Sequence, residues 1–206
     1  MSSEEYINHQ LNEIYLQLEE HPENPDLIHD LGVGYYLLGN YEKAISLLKE
    51  AVHREPKNKN FLYNLGNAYA EAEHYNQATE VYYRVIDIDG NHIPSLNNLA
   101  DCYEKMGSDE KAFEIFEYIT RMAPDNALSY FNLGNFLLRK NRHIEAVKCY
   151  RKAIEAEPSF TDAYHNIAWI LNEAKALKEA EKYAQDGLIT DPKNSDLIKL
   201  LGKIRN

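Results

Sequence analysis

The sequence predicts an all-α fold, an array of about twelve antiparallel helices, and two observations carry that prediction. Helix-breaking residues recur at a step of 34, at Pro22, Pro56, Gly90, Pro124, Pro158 and Pro192. Between them lies a fixed pattern of apolar and small residues, which the first full copy spells as Ile28-x2-Leu31-Gly32-x2-Tyr35, then Ala44-x3-Leu48, Ala51 and Pro56. Self-similarity at this period marks a solenoid, in which each unit stacks on its neighbours alone.

Residues 1–24 come first, a half unit closed by Pro22. Residues 2–21 are expected to form a lone capping helix whose stripe Ile7, Leu11, Ile14 and Leu18 docks on the first repeat, with Ser2 and Glu5 at capping-box spacing. Repeats follow at 25–58, 59–92, 93–126, 127–160 and 161–194. In each, one helix follows the i, i+3, i+4, i+7 rule, as in Ile28, Leu31, Gly32 and Tyr35. Gly39, Gly107 and Asn141 share the slot where that helix must end in a left-handed residue. A second helix carries Ala44, Leu48 and Ala51 on one side, and small Gly32 and Ala44 let the two backbones approach. Proline then stops it, and Gly90 is the one departure. Residues 195–206 form the closing helix, with Ile198, Leu201 and Gly202 repeating the opening pattern and Lys199 and Lys203 facing solvent. With both ends capped, the array is expected to be complete.

The pattern recurs at Leu62, Leu65, Gly66, Tyr69, Ala78 and Tyr82, at Leu99, Ala100, Tyr103 and Ala112, at Leu133, Gly134, Leu137 and Ala146, and at Ile167, Ala168, Leu171 and Ala180. These copies resemble the tetratricopeptide repeat (TPR) over almost the whole chain. The resemblance implies a right-handed α-α superhelix acting as a non-enzymatic protein-interaction scaffold, with an extended or helical peptide held in its concave groove.

Composition agrees with a binding role and excludes others. A net charge of −11, from 22 basic and 33 acidic residues, opposes attraction to phosphate backbones and anionic lipid, so no nucleic acid is expected as a partner. No apolar run reaches membrane-spanning length and no secretory leader opens the chain, so no membrane insertion and a cytoplasmic location are expected. Cys102 and Cys149 occupy different phases of the repeat and are expected to be reduced thiols. Gly34-x4-Gly39 lacks the lysine of a phosphate-binding loop, because Asn40 stands in its place. Asp87, Asp89 and Gly90 lack the spacing of a calcium loop, and the eight histidines show no metal-ligand spacing and are expected on the surface. No cofactor, metal or catalytic residue is expected.

The face of the first helix opposite Ile28, Leu31 and Tyr35 holds Asp26, His29, Asp30, Val33, Tyr36 and Leu37, which are expected to stay out of the core. The resemblance makes this the concave side. One slot of it reads Asp30, Asn64, Asn98, Asn132 and Asn166, and another includes Asn67 and Asn135. A carboxamide offers one acceptor and two donors, so such a ladder can pair with a peptide backbone whatever its sequence. Tyr63, Phe131 and Trp169 add candidate aromatic anchors on the same face. Acidic Asp26, Asp30 and Glu71 come early on it, and basic Lys105, Arg139, Lys199 and Lys203 late, a gradient able to orient a partner. The slots at which other family members grip a chaperone's C-terminal carboxylate hold His29, Tyr63, Pro94, Leu128 and Asp162, so that ligand is not expected. A homo-oligomer in which the N-terminal helix enters a neighbour's groove is the alternative arrangement.

Overall fold

The computed structural model describes residues 3–205, and these form twelve α-helices with no strand. The helices are α1 (Ser3–Glu20), α2 (Pro25–Leu37), α3 (Tyr41–Arg54), α4 (Lys59–Glu71), α5 (Tyr75–Ile88), α6 (Ile93–Lys105), α7 (Asp109–Met122), α8 (Ala127–Arg139), α9 (His143–Ala156), α10 (Thr161–Glu173), α11 (Leu177–Thr190) and α12 (Ser195–Arg205). Ser2 of the proposed capping box lies outside the described residues. The chain divides into two compact units, Met1–Ile115 and Phe116–Asn206.

Local chemistry sets the helix ends. Asparagine caps the first helix of several repeats: the Oδ1 atoms of Asn24, Asn58, Asn126 and Asn194 accept from backbone N–H groups of the turn that follows. The same slot holds His92, whose Nδ1 accepts from Ser95 N at 3.3 Å, and Phe160, which makes no side-chain cap. The turn between paired helices takes a left-handed residue at Gly39 (φ 73°), Gly107 (φ 74°) and Asn141 (φ 59°), as expected. Glu73 and Lys175 adopt it too, both at φ 61°, although their Cβ atoms make that conformation costly. Gly90 has no left-handed φ, and a β-carbon there would meet only Ile86 O at 3.9 Å.

In the first unit the core is built from Ile28, Leu48, Phe61, Leu62, Leu65 and Val85, with alanines 44, 51 and 68 where helices close up. Small residues at the predicted slot seat a large one: a β-carbon on Gly66 would lie 2.6 Å from the Tyr82 ring, and one on Gly32 would lie 2.8 Å from Leu48 Cγ. Leu11 of α1 is buried against Gly34, a glycine with no assigned purpose in the repeat pattern. Val33 and Tyr36 correct the sequence reading, because both pack against the core cluster instead of staying clear of it. The reason is that first helices of adjacent repeats flank one another, so part of the face turned from a helix's own partner meets the next repeat.

In the second unit, Tyr150 repeats the Tyr82 arrangement over Gly134, at 2.6 Å from a β-carbon placed there. Ala168, Ala180, Ala184, Leu197, Leu200 and Ile204 form the core at the α12 end. Here too the sequence reading needs correction: Ile198 is 51% exposed and nothing lies within 4 Å of a β-carbon on Gly202. Those positions serve a following second helix, so α12 buries Leu197, Leu200 and Ile204 against the preceding elements instead.

Candidate peptide-binding face

The asparagines come together in two pairs, each tied to a buried tyrosine. In the first unit, the hydroxyl of Tyr82 on α5, with no exposed surface, donates to Asn67 Oδ1 on α4 at 2.8 Å. Asn98 on α6 donates from Nδ2 to the same oxygen at 2.8 Å, and lies 3.3 Å from the Tyr82 hydroxyl and 3.5 Å from that of Tyr63. Tyr63 packs edge-on against His92, with ring centres 5.2 Å apart. In the second unit, Tyr150 on α9 donates to Asn135 Oδ1 on α8 at 2.8 Å, and Asn166 Nδ2 on α10 donates to that oxygen at 3.2 Å. Phe131 packs edge-on against Phe160 at 5.0 Å, as Tyr63 does against His92. Every member of the second set lies 68 residues, two repeats, beyond its counterpart in the first.

This arrangement revises how the ladder works. The carboxamides are half-buried and cross-link successive first helices, so they are not wholly at a partner's disposal. Each pair still uses only part of its capacity: among the described residues Asn67 Nδ2, Asn98 Oδ1 and Asn135 Nδ2 have no hydrogen-bond partner. Asn64 binds the Nε2 edge of His29 at 2.8 Å, and that ring stacks on Phe61 and meets Asp30 through Nδ1. His29 and His92 are thus half-buried structural groups and not the surface histidines the sequence suggested. Asn132 is half-buried in the same slot of α8.

Trp169 stands apart from the pairs. It is 40% exposed and lies beside Ile144, Val147 and Lys148 of α9, lining a cleft of about 480 Å³.

Burial dominates the electrostatics. It raises the pKa of Tyr82 well above that of a free phenol and pushes Tyr150 up to about 12, so both remain hydrogen-bond donors near neutrality. It also lowers the pKa of His92, which keeps its ring neutral. Cys102 and Cys149 are free thiols pushed up to about 11 by burial, which leaves little thiolate to act as nucleophile or metal ligand. Among the described residues no group of three or more His, Cys, Asp or Glu is placed to hold a metal ion, and no helix is long and apolar enough to cross a membrane.

Sequence reasoning missed Tyr82 and Tyr150 as the fixed points of the site. The signal was present, because both replace an aliphatic residue (Leu48 in the first repeat) at a core slot, and a buried phenol must find a hydrogen-bond partner.

Residues 96–197 match the family described as the Cilia and flagella-associated protein 70 middle TPR-like domain, and residues 35–82 match the Tetratricopeptide repeat. Among solved structures, the chain is similar to MamA, with a TM-score of 0.66 at 22% identity over 80% of this chain and 96% of that one. A tetratricopeptide repeat protein from Parabacteroides merdae gives a TM-score of 0.70 at 16% identity, over 98% and 78% of the two chains. YrrB, described as a TPR protein with an unusual peptide-binding site, gives 0.59 at 15% identity over 90% and 96%. No curated protein matches the chain. The repeat pattern, the twelve helices and these likenesses agree on an all-α superhelix of the kind that serves as a protein-interaction scaffold, and the chain belongs to the tetratricopeptide repeat family.

Proposed function

We propose that this protein is a non-enzymatic scaffold that holds an extended or helical segment of another protein on the asparagine-bearing faces of its units, Asn64 and Asn98 with Asn67 and Tyr63 in the first, Asn132 and Asn166 with Asn135 and Phe131 in the second. One observation supports the reading above the others. The Asn67–Asn98 pair is locked by Tyr82 yet keeps one unused donor, Asn67 Nδ2, and one unused acceptor, Asn98 Oδ1. That is the complement of a peptide unit's C=O and N–H. Because the tyrosine fixes the side chains in advance, little rotamer entropy is lost when a peptide binds.

The test is a set of extended peptides selected for binding from a random library, then resynthesised with single backbone N-methyl groups. If asparagines hold the backbone, N-methylation at one or two positions removes a hydrogen bond worth about 0.5–1.5 kcal/mol and lowers affinity up to roughly tenfold. Affinity that is indifferent to methylation at every position refutes the reading. Sedimentation of the free protein, with and without residues 1–24, separates it from self-assembly: a concentration-dependent oligomer that disappears on truncation favours the homotypic arrangement.

A further inference from the structure

We propose that the cleft between α9 and α10 is a second binding site, which takes one bulky apolar side chain from a partner segment flanked by acidic residues. Its lining is largely apolar and partly open to solvent: Ile144 is 78% exposed and Trp169 40% exposed, and Val147 and the buried Ile170 also line it. Two large apolar side chains left in water on either side of a concave surface of about 480 Å³ form a receptor for an apolar anchor, and the volume suits one.

Charge names the flanks. The chain as a whole carries −11, yet this cleft is edged by Lys148 and Arg151, against one acid, Glu173. Neither cation is spent in an ion pair among the described residues. Nearby Glu145 is held by Arg142 at 2.7 Å, and Glu155 by Lys152 at 2.7 Å. Arg151 donates to the hydroxyl of Tyr183 at 3.0 Å and lies over that ring, 5.8 Å from its centre, with no carboxylate partner. A segment bearing Glu or Asp on each side of its anchor would meet both cations, whereas a basic segment would be repelled.

Nine-residue peptides with a central Phe or Ala, flanked by Glu, Ser or Lys, test this directly, and emission from Trp169, the only tryptophan, reports occupancy. The Phe peptide with Glu flanks is expected to shift that emission and to bind at least tenfold more tightly than its Ala or Lys counterparts. Ile144→Ser should weaken it about tenfold, and Lys148→Glu with Arg151→Glu should turn the preference toward Lys flanks. Both changes fall on exposed positions, and circular dichroism verifies that the variants fold. None of the asparagines of the proposed peptide-binding face lines this cleft, so backbone N-methylation of the Phe peptide should leave its affinity unchanged. Absence of binding by the Phe peptide with Glu flanks overturns the proposal, as does binding indifferent to the Ile144 and Lys148 changes. A concentration-dependent dimer abolished by Ile144→Ser overturns it in favour of a second copy of this chain as occupant.

Discussion

The Tyr82 hydroxyl and Asn67 Oδ1, fifteen residues apart in the chain, are joined by a hydrogen bond of 2.8 Å that has no route to water on the tyrosine side. Asn67→Ala therefore leaves a buried phenol without its acceptor, at a cost of roughly 1–3 kcal/mol, while Tyr82→Phe removes donor and demand together and costs less. The double variant should be more stable than the sum of the single ones implies. Urea denaturation in a double-mutant cycle measures the coupling, and strict additivity would show that the bond does not stabilise the fold.

Glycines that look alike in the sequence should respond in opposite directions. Gly66→Ala forces a methyl group against the enclosed ring of Tyr82, and overpacking of this kind costs about 1–3 kcal/mol. Gly202→Ala meets nothing within 4 Å and replaces a helical glycine on α12, a gain of up to about 1 kcal/mol. Thermal melting of the two variants should show a fall for the first and no fall for the second.

Much of this was readable from the chain itself. Period and pattern placed small Gly32 and Ala44 where paired helices close up and the left-handed turn at Gly39, because both depend on contacts inside one repeat. Legibility failed where a residue's surroundings are set by contacts outside its own repeat. Val33 and Tyr36 look solvent-facing on a helical wheel until the following helix covers them, and Ile198 looks buried by its slot although it is exposed on α12. The asparagines were located by spacing, but their bonding was not, since a carboxamide's partner depends on which side chain the neighbouring helix brings to it.

The turns at Glu73 and Lys175 hold ordinary side chains at φ 61°, a conformation that costs an L-residue about 1–2 kcal/mol. Glu73→Gly and Lys175→Gly should each stabilise the protein, by up to about 1 kcal/mol once the greater freedom of glycine in the unfolded chain is counted. Asn141→Gly should gain less, because asparagine tolerates this region. Denaturant midpoints rank the three, and a loss on either of the first two changes would contradict the strain argument.

Alkaline pH should destabilise the fold through its tyrosines. Burial pushes Tyr150 up to about 12, and burial with the neighbouring Tyr103 hydroxyl does the same for Tyr83, whereas an unfolded tyrosine ionises near 10. Folding thus favours the neutral phenol. The contribution is fully present below pH 10 and is lost as pH rises from about 10 through about 12. Melting temperature against pH, read beside tyrosinate absorbance, should show a group of tyrosines that ionise late or only with unfolding. Tyr150→Phe should flatten that decline.

The raised pKa of both thiols has a practical consequence for studying partners. A cysteine near 11 presents about a few-hundredfold less thiolate at neutral pH than an ordinary surface one near 8.5. Native protein should therefore stay almost unlabelled while an added exposed cysteine reacts. A single fluorophore or spin label placed at Leu128 or Ile189, both exposed, would report on binding without first removing Cys102 or Cys149.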